Sequence, residues 1–206
     1  ISGATNSGKS SLLNALAEYI GKRERVITIE DSAELQLFHV ENLVRLETRN
    51  ANMEGENEIT MQDLIKASLR MRPDRIIVGE VRGAEAMSML QALSTGHSGS
   101  VSSIHANSCR DALRRLETMV LMGMDMPLAA IQGLIASSVD ILIHLGRLTT
   151  GKRKILEICE IKDYSRAEYD IRTLFQYKAG QTESLEMTGK LFHTEKLKSY
   201  GQYENY

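Results

Sequence analysis

A phosphate-binding loop opens the sequence, and its residue types and spacing are suited to chemistry on a nucleotide. Residues 3–10, Gly-Ala-Thr-Asn-Ser-Gly-Lys-Ser, satisfy the pattern G-x-x-x-x-G-K-[ST] in full. In such a loop Gly3 and Gly8 permit the turn, backbone N–H groups surround a β-phosphate, and the following helix offers its positive N-terminal end. Lys9 is expected to reach the β- and γ-phosphates, and the Ser10 hydroxyl to ligate Mg²⁺. The sequence therefore predicts a domain that binds a nucleoside triphosphate.

The other residues around the loop are expected to contact the nucleotide as well. They are Ala4, Thr5, Asn6, Ser7 and Ser11. Asn6 stands in the middle of the loop, and Asn is the non-glycine residue that best tolerates a left-handed backbone. We therefore expect the loop to keep its shape at this position.

Acidic side chains stand at the ends of two strand-like runs. "TIEDSAEL" (28–35) ends a strand with Glu30 and Asp31, and "IIVGE" ends another with Glu80. The carboxyl ends of parallel strands face the ligand in doubly wound sheets, so these carboxylates should point towards the phosphates. There they can hold Mg²⁺ or polarise an attacking water. Acids also end strands simply as loop residues, and that explanation suits Glu34 equally well.

Two histidines flank the next predicted strand, in "STGHSGSVSSIHANS" (94–108). His105 follows that strand and should lie on the same rim of the sheet as Glu30 and Glu80. A neutral imidazole there can donate a hydrogen bond to a γ-phosphate or to Glu80. His97 lies near a helix-to-strand turn, where local packing explains it just as well.

Hydrophobic periodicity indicates the elements that position these residues. Helices are predicted over 10–20, 61–71, 84–94 and 109–122, and strands over 25–30, 75–80 and 100–106. This alternation continues to residue 145 and predicts an α/β fold with a largely parallel central sheet. The strand-like runs "RKILEICEIKDY" and "EYDIRTLFQY" then predict an antiparallel hairpin at the sheet edge. Residues 178–206 are polar and are expected to form a weakly packed or disordered tail.

Composition limits the classes of function. The chain has 206 residues and a net charge of −2, and its pI near 6.3 gives no electrostatic reason to bind nucleic acid. The chain has two cysteines, Cys109 and Cys159, which are far apart in the sequence and suggest a reducing compartment. A zinc site is not predicted, because the sequence shows no histidines at ligand spacing. No apolar run approaches the roughly 20 residues of a membrane span, and there is no signal peptide. We therefore expect a cytoplasmic protein that binds no nucleic acid.

The phosphate-binding loop does not by itself determine the reaction, because kinases, GTPases and motors share it. A GTPase would be expected to carry an N-K-x-D element, and the sequence has none. A small-molecule kinase usually needs an arginine-rich lid, which is not evident either. These two classes are therefore disfavoured.

Four motifs in a fixed order resemble the secretion ATPase superfamily of type II and type IV secretion and type IV pili. They are "GATNSGKSS", "TIEDSAELQL", "RMRPDRIIVGEVRGAEA" and "STGHSGSVSSIHANS", similar to that family's Walker A motif, Asp box, atypical Walker B motif and His box. The forms "VRLETRNAN" and "TGHSGSVSSIHANS" look most like the tight-adherence (Flp) pilus branch. The resemblance covers about residues 1–163.

The resemblance implies roles for individual residues of the acidic and phosphate-binding motifs. It implies that Lys9 and Ser10 bind phosphate and Mg²⁺, and that Glu80 is the general base or orients water. Glu30 and Asp31 match the Asp-box acids, which support Mg²⁺ or the water. The metal-binding set is then expected to comprise Ser10, Asp31 and Glu80, with ATP as the nucleotide.

The resemblance also implies roles for basic residues. His97 and His105 match the His box, and Arg45 and Arg49 fall where the family places arginines that reach a nucleotide. Arg82 matches a common family position, for which a structural salt bridge is an equally good explanation.

The resemblance further implies a RecA-like C-terminal ATPase domain over 1–177, in a homo-hexameric motor at the inner face of the cell membrane. Its partners would be inner-membrane platform proteins of a pilus or secretion apparatus. Two features depart from the family: Asn6 replaces a common Gly, and the domain that family members carry before the loop is missing here. This chain by itself is therefore expected to be weakly active. A ring scaffold that binds nucleotide without hydrolysing it stays open as an alternative.

Overall fold

A computed structural model describes residues 1–97, 99–165, 168–178, 180 and 184–195. Within these ranges nine strands form one mixed sheet, and five α-helices pack against its two faces. The helices are α1 (Lys9–Ala17), α2 (Met61–Ser68, continued by a 3-10 turn over Leu69–Met71), α3 (Glu85–Ser94), α4 (Cys109–Gly123) and α5 (Leu128–Ser138). The strands are β1 (Ser2–Gly3), β2 (Arg25–Glu30), β3 (Asn42–Glu47), β4 (Arg75–Val81), β5 (Val101–Ile104), β6 (Ile141–Arg147), β7 (Arg153–Ser165), β8 (Glu168–Tyr177) and β9 (Leu185–Met187).

The strand order in the sheet is β3-β2-β4-β5-β1-β6-β7-β8-β9. Neighbours from β3 to β6 run parallel, and β6 to β9 pair antiparallel. The prediction of a parallel α/β sheet with an antiparallel edge hairpin is confirmed. Because β5 lies between β1 and β4, the phosphate-binding loop and the end of β4 face each other across one intervening strand.

Alternating side chains of the central strands fill two hydrophobic cores, one on each face of the sheet. Ile27 and Ile29 of β2 pack with helices α2 to α5. Val26 of the same strand packs with Ile77 and with Leu13 of α1 on the other face. Strands buried on both faces read as continuous apolar runs, which is why β2 and β4 were recognisable in the sequence.

Polar caps fix where two of the helices begin, and so where the loops before them end. The Thr60 hydroxyl accepts the backbone N–H of Asp63, whose carboxylate accepts the Thr60 N–H, so a capping box starts α2. Ser108 accepts the N–H of Asp111 and starts α4 three residues after His105. The Ser108 cap holds the strand-to-helix turn that carries His105.

Part of the segment predicted as a tail adds a strand to the antiparallel edge. Leu185–Met187 pairs with β8, and the N–H groups of Phe192 and His193 each donate to the buried Glu160 carboxylate at 2.7 Å. The division of the chain at residue 177 stays a prediction, and residues 196–206 lie outside the described residues. Within the described ranges, no helix combines the length and apolarity needed to cross a bilayer.

Candidate active site

The loop between β1 and α1 has the backbone conformation of a phosphate-binding turn. Gly8 (φ 102) and Asn6 (φ 60) are both left-handed, so the expectation that Asn6 tolerates this geometry is confirmed. Gly3 has no room for a side chain, because a Cβ there would lie 2.5 Å from Ser7 Oγ and 2.6 Å from the carbonyl oxygen of Leu145. The loop is therefore held tightly against β6 at Gly3.

Lys9 folds back over this loop. Its Nζ donates to the carbonyl oxygens of Gly3 at 3.0 Å and Ala4 at 3.2 Å. Burial lowers the pKa of Lys9, and the Glu80 carboxylate offsets part of this effect. The ammonium thus lies over the turn in which a phosphate would sit.

A cleft of about 540 Å³ opens beside the loop at the carboxyl ends of the parallel strands. It is lined by loop residues from Thr5 to Ser11 and by Glu30, Asp31, Glu80 and His105. The structure therefore brings together the loop and the three strand ends that the sequence assigned to one rim. Of the predicted loop residues, Gly3 and Ala4 contribute carbonyl oxygens to Lys9.

Glu80 and His105 meet on this rim. His105 Nε2 lies 2.7 Å from Glu80 Oε1 and 3.4 Å from Lys9 Nζ. Burial lowers the pKa of His105, and the Lys9 charge acts in the same direction, whereas Glu80 opposes the shift. The neutral imidazole is thus favoured between the loop lysine and the carboxylate.

Arg82 connects two of the acids. Its guanidinium donates to Glu80 Oε2 at 3.0 Å and to Asp31 Oδ2 at 3.3 Å. The hydrogen bond to Glu80 raises the pKa of Arg82. The carboxylates at the ends of β2 and β4 are therefore held in one network, and the salt bridge considered for Arg82 is present.

Glu30 is buried and holds the loop that follows β2. Its Oε1 accepts the backbone N–H groups of Glu34 and Leu35, each at 3.1 Å. Burial raises the pKa of Glu30, although these two hydrogen bonds oppose the shift. Gly79 makes room for this carboxylate, because a Cβ there would lie 2.9 Å from Glu30 Cγ. The glycine that interrupts the apolar run of β4 thus has a steric reason.

The donor set of the cleft fits a magnesium ion. Mg²⁺ prefers oxygen ligands, and the cleft offers the Ser10 hydroxyl with the Asp31 and Glu80 carboxylates. Glu80 Oε1 is buried without a hydrogen bond, although His105 lies within ion-pair distance of it. An unsatisfied buried carboxylate oxygen is a suitable ligand or acceptor for a bound ion or its water.

Three residues predicted for the nucleotide do not line this cleft. Arg45 is exposed in the middle of β3, at the far edge of the parallel strands, and Arg49 donates from Nε to the carbonyl oxygen of Asn57 at 2.8 Å. His97 Nδ1 lies 3.1 Å from the carbonyl oxygen of Ala92, at the end of α3. Their assignment to the nucleotide stays a prediction, since within this chain they lie elsewhere.

The structure adds Arg153, which the sequence did not single out, and brings in Glu34, for which two explanations were open. The Glu34 carboxylate accepts the Ser10 hydroxyl at 3.1 Å, so Glu34 is part of the site and not only a loop residue. Arg153 of β7 lines the same cleft, with its Cδ 3.6 Å from the position of a Cβ on Gly8. Glu34 could be found from its motif, whereas Arg153 reaches the loop only through antiparallel pairing that no local pattern reveals.

This fold and cleft define a RecA-like P-loop domain, and comparisons with known proteins give its family. The family model described as "Type II/IV secretion system protein" matches residues 1–196. The chain therefore belongs to the type II/IV secretion system protein family.

Named relatives come from conjugation and type IV secretion. The chain is 38% identical over 172 residues to the conjugal transfer protein TrbB of Rhizobium radiobacter, covering 82% of this chain and 50% of that protein. It is 37% identical over 163 residues to the type IV secretion system protein PtlH of Bordetella pertussis, covering 77% of this chain and 48% of that protein.

A solved structure of the VirB11 ATPase from the Brucella suis type IV secretion system, in complex with sulphate, has the same fold. Its TM-score is 0.69 at 35% identity, over 77% of this chain and 48% of that one. The chain thus spans about half the length of the relatives it matches. None of these three is named as a tight-adherence pilus ATPase, so that narrower assignment stays a prediction.

Proposed function

We propose that this chain is the ATP-hydrolysing domain of a secretion or pilus-assembly motor. The observation that carries the proposal is the meeting of the loop lysine, Glu80 and His105 across one cleft, with His105 Nε2 2.7 Å from Glu80 and 3.4 Å from Lys9. Phosphoryl transfer to water needs charge neutralisation on one side of the γ-phosphate and a water-orienting carboxylate on the other. In support of this, Lys9 and Glu80 both line the cleft.

Each residue has a distinct task in this proposal. Lys9 and the loop amides bind the β- and γ-phosphates, and Glu80 orients the attacking water and accepts its proton. Arg82 fixes the Glu80 carboxylate against Asp31. When bound by Ser10, Asp31 and Glu80, Mg²⁺ supplies positive charge to the phosphate oxygens.

His105 is proposed to couple the phosphate-binding lysine, Lys9, to the water-orienting carboxylate, Glu80. Its Nε2 faces both Lys9 and Glu80, so a γ-phosphate that attracts Lys9 also changes the surroundings of the imidazole. Donation of its N–H to that phosphate would draw the imidazole away from Glu80 Oε1 and leave that oxygen to the water. His105 thereby makes the position of Glu80 depend on whether a triphosphate is present.

The motor is proposed to work as a homo-hexamer in the cytoplasm, at the inner face of the membrane, with platform proteins of the secretion or pilus apparatus as partners. The support is family membership and relatives named as secretion and conjugation proteins. Arg45 and Arg49 do not line the cleft of their own chain, and their proposed role is to reach the nucleotide of a neighbouring subunit.

Glu80→Gln in the full-length protein tests the catalytic part of the proposal. Gln keeps the size of the side chain but cannot accept the water proton, so we expect phosphate release to fall by on the order of 10²-fold or more while ATP binding is retained. Unchanged turnover would exclude Glu80 from the role of base.

A non-catalytic ring scaffold is the second candidate function, because the cleft is equally suited to binding without turnover. The same experiment distinguishes the two. A full-length wild-type protein that binds Mg·ATP and assembles but releases no phosphate above background would favour the scaffold.

A further inference from the structure

The fold brings two cysteines and a glutamate together on the far side of β6 from the phosphate-binding loop, under the start of α4. The Sγ atoms of Cys109 and Cys159 and a carboxylate oxygen of Glu157 all lie within 4.8 Å of one another. Both cysteines are free and buried, and Glu157 is half-buried. The sequence predicts no zinc site here, because it shows no histidines at ligand spacing, whereas the structure brings a carboxylate to the two cysteines.

The local structure explains how the three side chains converge. Glu157 and Cys159 are two residues apart in β7, so both point to the same face of the sheet. Cys109 is the first residue of α4, and its backbone N–H donates to Glu157 Oε1 at 2.6 Å. The other carboxylate oxygen, Oε2, lies 3.7 Å from Cys159 Sγ. The carboxylate is thus oriented by the helix and directed at the sulfurs.

We propose that Cys109, Cys159 and Glu157 form a binding site for a thiophilic divalent cation of the zinc class. Thiolates and a carboxylate are ligands that Zn²⁺ takes in proteins, and binding releases the two thiol protons to solvent. The N–H of Cys109 acts on Glu157 as an outer hydrogen bond that fixes a metal ligand. The two sulfurs and the carboxylate supply three ligands, and Glu157 is the partly exposed one of the three.

The carboxylate favours a cation over a disulfide. A disulfide would use both sulfurs and remove the Cys159 thiol as a partner of Glu157, which would keep the Cys109 N–H and its neighbour His144. A divalent cation instead offsets two of the three negative charges that the carboxylate and the two thiolates carry. Because Cys109 follows His105 by four residues, the bound ion would fasten the His105 turn and the start of α4 to β7.

Cobalt substitution of the reduced, nucleotide-free chain tests the site directly. Co²⁺ bound by thiolates gives a sulfur-to-metal charge-transfer absorption that oxygen ligands do not give. The chain contains only two cysteines, so such a band can arise only from this pair. We expect one Co²⁺ per chain with this band and the intense d–d absorption of a tetrahedral site, and displacement of both by one equivalent of Zn²⁺.

Variants identify the ligands. Cys159→Ser should halve the charge-transfer intensity per bound ion. Glu157→Gln should keep the band but weaken Co²⁺ binding by more than the roughly 10–100-fold cost of losing an outer partner. Asp125→Asn removes an exposed carboxylate and should bind Co²⁺ as the wild type does. Far-ultraviolet circular dichroism of each variant verifies that it is folded.

Three results would overturn the proposal. The first is a reduced wild-type chain that shows no thiolate-to-cobalt band at stoichiometric Co²⁺. The second is a Glu157→Gln variant that binds Co²⁺ as tightly as the wild type does. The third is a Cys109–Cys159 disulfide, seen as a mass loss of two hydrogens, that forms in air even in the presence of Zn²⁺.

Discussion

The imidazole Nε2 of His105 lies 2.7 Å from the Oε1 of Glu80. This contact joins the end of β5 to the end of β4, two strands whose rim positions were expected from sequence, and it places His105 beside the carboxylate proposed as the catalytic base. Lys9 Nζ is 3.4 Å from the same nitrogen. The protonation state of His105 therefore affects both the loop lysine and the Glu80 carboxylate.

The pH dependence of stability should report on His105. Burial lowers the pKa of the folded imidazole below its ordinary value of 6.5, so the unfolded chain takes up a proton first as pH falls through 6.5. Stability is therefore lost as the pH falls from about 7 through the folded pKa, and retained above 6.5. Urea unfolding across this pH range should show that the free energy of unfolding falls more steeply with decreasing pH for the wild type than for His105→Gln.

His144, whose pKa is also lowered by burial, is present in both proteins and cancels in this difference. Equal pH slopes for wild type and His105→Gln would mean that His105 is not held in the environment described.

Glu30 should contribute to stability as a hydrogen-bond acceptor and not through its charge. Glu30→Ala leaves the N–H groups of Glu34 and Leu35 without their acceptor and should lower the free energy of unfolding by about 1–3 kcal/mol. Glu30→Gln keeps an acceptor oxygen and should be close to wild type. Chemical denaturation measures both.

Glu47→Ala is the matched control, because Glu47 ends the neighbouring strand β3 in register with Glu30 but is exposed. If Glu30→Gln destabilised the chain as much as Glu30→Ala, the acceptor role would be wrong.

Arg82 should affect turnover more than stability. Its side chain is 65% exposed, so the ion pairs themselves contribute less than about 1 kcal/mol. Arg82→Ala frees the Glu80 carboxylate and should lower phosphate release in the full-length protein roughly tenfold, less than the 10²–10⁴-fold cost of losing the base. Parallel binding measurements should show ATP affinity almost unchanged. Arg110→Ala, an exposed arginine on α4, should have no effect, and an equal loss there would contradict the positioning role.

Asn6 should be replaceable by glycine but not by alanine. Its φ of 60 is left-handed, so Asn6→Ala should cost about 1 kcal/mol of stability and weaken ATP binding with it. Asn6→Gly should bind ATP as the wild type does. Thr5→Ala, at a neighbouring position without a positive φ, controls for loss of a polar side chain. Similar losses for Asn6→Ala and Asn6→Gly would point to the amide group and not to the backbone.

Buried strands with long apolar runs could be predicted from the sequence, whereas the edge strand β3 and helix α5 could not. Strands β2 and β4 are buried on both faces and read as continuous apolar runs. Strand β3 is an exposed edge with alternating character, and it was recognised only as a motif. Helix α5 was missed because it has no side-chain cap and no acidic residue in its first turn, so none of the usual start signals is present.

The residues of the candidate site likewise divide into those that could be predicted from the sequence and those that could not. Rim positions such as Glu80 and His105 follow from the rule that parallel strand ends share one edge of the sheet. Arg153 and the Cys109–Cys159 pair depend on the antiparallel register of β6 and β7, which includes a register shift between His144 and Leu145. A one-residue shift changes which side chains face the loop, and sequence periodicity does not determine it.

The most direct test of the account is nucleotide binding by Lys9→Ala, measured by calorimetry with Mg²⁺ and a non-hydrolysable ATP analogue. Lys9 Nζ lies over the loop, held by the carbonyl oxygens of Gly3 and Ala4, where it would meet a phosphate. Loss of a charge-assisted contact of about 1.5–3 kcal/mol corresponds to roughly 10- to 100-fold weaker binding. The account predicts this loss for Lys9→Ala and none for Lys22→Ala, an exposed lysine beyond the end of α1. Equal affinities for wild type and Lys9→Ala would contradict it.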